Sequence, residues 1–385
     1  MAERDARLAE IRDLRRLLHR QAELSGQERD TAVIVAGELK ACRPTELWTG
    51  LAGHGVAGIF TAPATAPGPT VVLRAELDAV PVDEPPTVEW ASLQPGRSHK
   101  CGHDGHMALL VAVARGLRTR PLRRGRLVLL FQPGEETATG AELILRDRRY
   151  LALRPDWLFA PHNMPGYPLG AVVLREGVFT AGSVGVKIRL EGASSHAAYP
   201  DRGQPAAGAL ADLLPALRET TAPYRNDGEL AMVTVTHAQL GEPSFGVSPG
   251  VAEVRAVLRS DSESILSLLQ DAAAEAVDAV AGRHGLAAEV SWQEAFPVTA
   301  NHPDAVALLM KSADRLGLPC LPPDECPIRW SEDFGWLIRD RCGALFGLGA
   351  GVDQSPLHSE SYDFNDDLLS PGLELLDDLV DTLLR

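Results

Sequence analysis

No stretch of this chain is apolar for long enough to cross a bilayer. The opening MAERDARLAEIRDLRRLLHRQAEL is charged and amphipathic, without the apolar core or cleavage site of a secretory signal. Cysteine is scarce: Cys42, Cys101, Cys320, Cys326 and Cys342 are an odd five without regular spacing. That argues against a disulfide framework and makes the reducing cytoplasm the expected location. Positive charge is in deficit, with 37 Lys and Arg against 52 Asp and Glu and a net charge of −15. Such a surface repels nucleic acid and anionic membranes, so neither is expected as a partner. Absent too are a P-loop, a Gly-x-Ser-x-Gly elbow and a dinucleotide fingerprint; the glycines of Gly347-Leu348-Gly349-Ala350-Gly351 lack the third-glycine spacing. What is left is a chain of 385 residues, 45% hydrophobic and 23% charged, of globular composition and too long for one core. Two domains are the natural expectation.

The densest chemistry lies in Ser98-His99-Lys100-Cys101-Gly102-His103-Asp104-Gly105-His106. His and Cys are the side chains that bind borderline-soft divalent metals near neutral pH. Further on, Phe131-Gln132-Pro133-Gly134-Glu135-Glu136 sets an acidic pair after an apolar run. A metal site with its own general base points to a hydrolase.

Apolar periodicity predicts helices over Asp5–Leu24, Arg29–Leu39 and Met107–Arg118. Strands are expected at Pro69–Ala75, Arg126–Phe131 and Trp157–Ala160, delivering Asp78, Glu135/Glu136 and His162 to one crevice at the carboxyl edge of a sheet. After Thr180 the order becomes βαββαβ, the ferredoxin-like arrangement. The expected fold is therefore α/β: a discontinuous catalytic domain of residues 1–180 and 295–385, interrupted by an inserted domain of residues 181–294.

Leu73-Arg-Ala-Glu-Leu-Asp-Ala-Val-Pro81, His99-Lys-Cys-Gly-His-Asp-Gly-His106, Phe131-Gln-Pro-Gly-Glu-Glu136, Gly192-Ala-Ser-Ser-His-Ala-Ala-Tyr-Pro200, Ser331-Glu-Asp-Phe334 and His358 fall in the order of the M20 metallopeptidases. The chain most resembles the amidohydrolase branch, with its N-acyl-amino-acid, hippurate-type and auxin-conjugate hydrolases. The resemblance implies a three-layer αβα catalytic domain and a ferredoxin-like lid through which the family forms homodimers.

On the residues alone, Cys101 and His103 are either ligands, pointing the same way along an extended segment, or a buried thiol beside a structural imidazole. Glu135 and Glu136 alone read equally as a solvated turn, and His162 and His358 as ordinary loop histidines. The resemblance makes Cys101, His103, Glu136, His162 and His358 the ligands of two divalent metals, with Zn²⁺, Mn²⁺, Co²⁺ and Ni²⁺ all compatible. It makes Glu135 the general base toward a metal-activated water, then the acid toward the leaving amine. It makes His196 the oxyanion donor, reaching the partner subunit's site. Asp78 is expected behind the ligands, orienting one of them. His99 is also placed behind them, His106 is read as structural, and Asp104 as a helix cap or a group fixing a ligand's tautomer. Arg259, Asn301 and His237 are candidates for binding a substrate carboxylate. The implied reaction is cleavage of the amide of a small N-acyl amino acid or related conjugate. A dipeptidase or carboxypeptidase on the same scaffold, and a non-catalytic metal-binding homologue, are the alternatives. Several positions depart from the family pattern: Glu76 for Asp, Lys100 for a small residue, Gly134 for Ala, Asn365-Asp366-Asp367 after Asp-Phe, and Gly246-Val-Ser-Pro-Gly250 for Asn-Val-Ile-Pro-Asp.

Overall fold

Val71, Val72 and Leu73, and the run Leu127–Phe131, are apolar on both faces, as strands covered on both sides must be. They form Thr70–Glu76 and Arg126–Gln132, buried almost throughout. The computed structural model describes every residue except Met1, Ala64, Thr87, residues 225–228 and Cys326, with side chains described from residue 7 onward. Cys326 thus lies outside the described residues; Cys42, Cys101, Cys320 and Cys342 are free thiols.

Thr70–Glu76 pairs in parallel with Arg126–Gln132 and with Trp157–Pro165, and the last in parallel with Gly343–Gly351. These four strands are the middle of an eight-stranded mixed sheet. Its order is Glu46–Leu51, Gly55–Thr61, Arg126–Gln132, Thr70–Glu76, Trp157–Pro165, Gly343–Gly351, Val172–Val173, Cys320–Leu321. Parallel pairing brings four carboxyl ends to one edge, where an open α/β sheet offers its crevice.

Two compact units are formed. The first holds this sheet, runs to Phe179, and resumes over Thr299–Asp324 and Asp333–Arg385. Its core includes the helix His103–Gly116, in which every residue but Arg115 is buried. That helix begins four positions before the Met107 expected from periodicity. The first helix closes at Arg20, and Leu24 instead forms an isolated bridge to Ala79.

The second unit is Thr180–Val298 with Glu325–Glu332, a segment the sequence reading kept in the other domain. Its elements run Gly182–Glu191, helix Ala207–Glu219, Ala231–Leu240, Val251–Ser260, helix Glu263–His284, Ala287–Phe296. The four strands make a separate antiparallel sheet in which Val251–Ser260 and Gly182–Glu191 are central. Alternation drives the packing: Val184, Val186, Ile188 and Leu190 point one way and share a core with Leu213, Leu217, Leu269 and Val277 of the two helices.

Candidate metal centre

The centre is built at the carboxyl edge of the parallel strands. Asp78 follows Thr70–Glu76, and Glu135 and Glu136 follow Arg126–Gln132. His162 lies within Trp157–Pro165, which runs further than the expected Ala160. His358 comes after Gly343–Gly351. Cys101 and His103 do not lie on an extended segment. Gly102 between them has φ 92°, and His103 is the first residue of a helix. A Cβ on Gly102 would stand 2.2 Å from Asn163 Oδ1 and 2.8 Å from Tyr362 Oη. Both the left-handed backbone and the lack of space require glycine there. This turn, rather than strand alternation, brings the thiol and the imidazole together.

Two sets of donor atoms gather about one thiol. Cys101, His103 and His162 form one buried triad, and Cys101, Glu136 and His358 form another. Within each, the donor atoms lie within 4.8 Å of one another. Cys101 Sγ is 3.6 Å from His162 Nε2, and His358 Nε2 is 3.4 Å from Glu136 Oε1. Glu135 joins His103 and Glu136 in a third group, its Oε2 3.8 Å from His103 Nε2.

Backbone contacts aim the rings. His103 Nδ1 donates to the Asp78 carbonyl at 2.8 Å, which turns the Nε2 lone pair inward. His162 Nδ1 donates to the Asn163 carbonyl at 3.0 Å, with the same result. Asp78 Oδ2 accepts from the Glu136 N–H at 2.9 Å and from Ser25 Oγ at 2.6 Å, so Asp78 fixes the acidic turn. It meets His103 twice, through its main-chain carbonyl and through Oδ1, which stands 3.8 Å from His103 Nδ1.

The donors fit a cation. His103 Nε2, Glu136 Oε1 and Asp78 Oδ1 are buried without a hydrogen-bond partner, a costly state for polar atoms enclosed by protein. Burial, then the charges of Glu136 and Glu135, push the Cys101 thiol well up. Burial opposes the charge on Glu136, but His358 and His103 hold its carboxyl below the usual range. Burial likewise opposes protonation of His103, yet Glu76, Glu136 and Asp78 raise it. The shifts of Cys101 and His103 report negative charge gathered around a point that calls for positive charge. A bound cation reverses the thiol's preference, because it draws off the proton.

His106 is engaged at both nitrogens, by Glu76 Oε2 and Asn163 Oδ1, each at 2.7 Å. It therefore ties Thr70–Glu76 to Trp157–Pro165. Glu76 also pairs with the buried Arg74, which reaches Asp333 at 2.8 Å. The longer glutamate thus acts as a bridge from Arg74 to His106. Burial disfavours its charge, but those two partners hold it well below the ordinary range. His99 is buried with both ring nitrogens lacking a hydrogen-bond partner, and desolvation brings its pKa down to about 3.

Asp104 neither caps the helix nor orients a ligand. The cap position is Gly102, and Asp104 instead takes His19 Nδ1 at 2.8 Å and Arg15 at 3.4 Å. His19 Nε2 meets Glu84 Oε2 at 3.0 Å. Burial works against the charge on His19, but Asp104 and Glu84 raise its pKa from 6.5 to about 9. Burial works against Glu84 as well, but His19 and Lys100 lower it from 4.5 to about 2. The histidine's contribution to stability is complete below pH 6.5 and fades as pH rises through about 9. The glutamate's is complete above pH 4.5 and fades as pH falls through about 2. His19→Gln is expected to flatten the alkaline limb of a plot of urea midpoint against pH and to shrink the acid limb as well, because Glu84 loses the partner that lowers it most. A variant whose alkaline loss matches the parent removes His19 from that role.

His196 lies in the second unit, in a two-residue strand paired with Val247–Ser248. Its Nδ1 accepts the Ala198 N–H at 3.0 Å, so the neutral ring carries its proton on an outward-facing Nε2. That is the tautomer an oxyanion donor needs. His237 is exposed on Ala231–Leu240, next to a bulge. Arg259 Nη1 donates to the Arg329 carbonyl at 2.9 Å and to Ser331 Oγ at 2.8 Å, which holds Glu325–Glu332 to its unit. Asn301 commits its amide to the main chain: Nδ2 donates to Leu345 and Arg175 carbonyls, and Oδ1 accepts from Leu345 N–H. Both amide hydrogens are used, so Asn301 acts as a clasp on Gly343–Gly351 rather than as a carboxylate donor. Asn163, Tyr362 and Lys100 surround the centre without having been singled out as site residues; only the departure at Lys100 signalled one of them.

A family model described as peptidase family M20/M25/M40 matches residues 72–382. An N-acetyl-L-cysteine deacetylase of Bacillus subtilis (strain 168) is 29% identical over 351 residues, spanning 90% of this chain and 81% of that protein. Thermostable carboxypeptidase 2 of Saccharolobus solfataricus is 28% identical over 370 residues, spanning 94% of this chain and 92% of that protein. Among solved structures, the YXEP protein of Bacillus subtilis, a dinuclear metal-binding peptidase of the M20 family, superposes with a TM-score of 0.79. It is 24% identical, with 98% of this chain and 99% of that one covered, and shares the fold.

Proposed function

The chain belongs to peptidase family M20/M25/M40 and is a metal-dependent hydrolase; from that premise we propose that it cleaves the amide bond of small N-acyl amino acids or related conjugates. The proposed ligands are Cys101, His103, Glu136, His162 and His358, for two divalent ions. The observation that carries this is the pair of donor triads that share the Cys101 thiol and are made up of these five residues. The described solved relative that binds two metals supports the same count. Bound there, the ions would polarise the scissile carbonyl and lower the pKa of water.

The chain's own residues supply the rest. Glu135, buried beside His103 and outside both triads, takes the proton from the attacking water and returns it to the departing nitrogen. Asp78 holds the turn that carries Glu135 and Glu136, whose carboxylates each stand 3.8 Å from His103 Nε2. His196 donates from Nε2 to the oxyanion, in the site of the partner subunit of a homodimer formed through the lid. The catalytic unit is proposed as a three-layer αβα fold and the lid as ferredoxin-like, in keeping with its βαββαβ order. No helix among the described residues is long and apolar enough to cross a membrane. Cytoplasm is the proposed location, where free thiols such as Cys42 and Cys320 stay reduced.

His196→Ala is expected to lower kcat about 10²–10³-fold, the usual cost of losing one oxyanion donor. Metal content, measured by elemental analysis, should stay at the parent value. An active variant removes His196 from the reaction. The substrate class is tested by loading the apoenzyme with Mn²⁺, Zn²⁺, Co²⁺ or Ni²⁺ and comparing N-acetyl amino acids and hippurate with dipeptides bearing a free α-amine. Turnover of the acylated substrates is the expected result. Turnover of free dipeptides alone would replace this reading with the peptidase one, the activity named for the Saccharolobus relative.

A further inference from the structure

We propose that Lys100 is a positioning residue: it clasps the segment that carries His358, and retention of the ion held by His358 depends on that clasp. The proposal rests on the reading of His358 as a ligand.

Lys100 is only 2% exposed, and a lysine so deeply buried must be paired. It touches the same segment twice. Its carbonyl accepts the His358 N–H at 2.8 Å, and its ammonium donates to the Tyr362 carbonyl at 2.6 Å. The loop from His358 to Tyr362 is thus tied at both ends to one residue, next in sequence to Cys101. The tie matters because His358 has φ 61°, a left-handed conformation that a residue with a Cβ seldom adopts. Such a backbone persists only where the surroundings dictate it. His358 is also the most open of the five proposed ligands, its side chain 51% exposed, so packing alone does little to place it.

The far end of the clasp is itself anchored. The Lys100 ammonium pairs with Glu84, which accepts from His19 at 3.0 Å and from the Ser92 N–H at 2.7 Å. Tyr362 is wholly buried, and its hydroxyl accepts from Asn163 Nδ2 at 2.7 Å. Asn163 in turn takes the His162 Nδ1 proton on its carbonyl. A continuous set of hydrogen bonds therefore joins the segments of Cys101, His358 and His162. Glu84 already has His19 as a counter-charge, so neutralising Glu84 does not by itself account for the lysine.

The test uses enzyme loaded with Zn²⁺, titrated with a chelator while bound metal per chain is followed. Lys100→Met is expected to weaken retention of one equivalent about 10–100-fold, the usual cost of removing a group that orients a ligand. The other equivalent should hold as in the parent. Because Lys100→Met leaves Glu84 with less counter-charge, the double variant Lys100→Met/Glu84→Gln is measured alongside it and is expected to behave alike. His358→Ala serves as the reference and should lose one equivalent. If it does and both lysine variants keep two at parental strength, the role of Lys100 is overturned and the ligand set stands. Equal weakening of both equivalents marks general loosening and also overturns the clasp. A His358→Ala enzyme that keeps both ions overturns the reading of His358 as a ligand, and the clasp with it.

Discussion

Glu135→Gln is expected to lower kcat by about 10²–10⁴, the range a general base contributes, with two equivalents of metal still bound. Gln keeps the size and one carbonyl oxygen but cannot accept the proton of the attacking water at neutral pH. Glu135 lies outside both triads that share Cys101, so its replacement leaves all five proposed ligands in place. It stands 3.8 Å from His103 Nε2, within reach of anything those donors hold. Elemental analysis of the variant beside steady-state kinetics on an N-acyl amino acid checks both halves. An active Glu135→Gln enzyme shifts the proton transfer to another group. An inactive one that has lost metal makes Glu135 a ligand instead. The same variant addresses the non-catalytic alternative, since a binding protein would lose nothing when this carboxylate is neutralised.

Cys101→Ala is expected to fail in the opposite way, through loss of both ions. The thiol is the one donor common to the two triads, so its removal breaks both at once. The metals are expected to supply several kcal/mol of charge stabilisation, on the order of three powers of ten in rate or more. Activity should fall at least that far, and bound metal should drop well below the parent after dialysis. The thiol's chemistry adds a second observable. With burial and two glutamates raising it, Cys101 is protonated in the empty site, so metal uptake must release its proton. Calorimetry in buffers of different ionisation enthalpy should show that release in the parent and its loss in Cys101→Ala. A variant that binds two ions with parental proton release would show that the thiol is a bystander.

The two variants test a proposed division of the site into a part that holds cations and a part that moves a proton. Glu135 and Glu136 are adjacent, yet only Glu136 shares a triad with Cys101 and His358. Adjacency on a turn does not account for that split: rather than pointing different ways, Glu135 Oε2 and Glu136 Oε1 each stand 3.8 Å from His103 Nε2. The meeting of Asp78, Glu135, Glu136 and His162 was readable, since each follows or ends an apolar run of strand length. The thiol–imidazole geometry was not. Alternation along a strand was the wrong premise for Cys101 and His103; a left-handed glycine and a helix start do the work. The carboxylate-binding candidates fared least well. Approximate position gave Asn301 and Arg259 a part, but Asn301 is bonded to the main chain and Arg259 to Arg329 and Ser331.

The role of Glu135 as base came only from the family resemblance; residue chemistry and periodicity were enough to announce a Cys/His/Glu metal site and an α/β sheet with an inserted βαββαβ unit. These are local properties: ligand type belongs to one side chain, and strand or helix period to a few neighbours. Folding alone assigned the partners. Lys100 O meets the N–H of His358, Glu76 bridges Arg74 and His106, and Asp104 serves His19 rather than a ligand. Apart from Arg74 and Glu76, which alternation along one strand puts on the same face, each such pair is far apart in sequence, so its geometry depends on strand order and loop path. No local pattern encodes those distances, and buried polar groups take whichever partner the packed chain brings within reach.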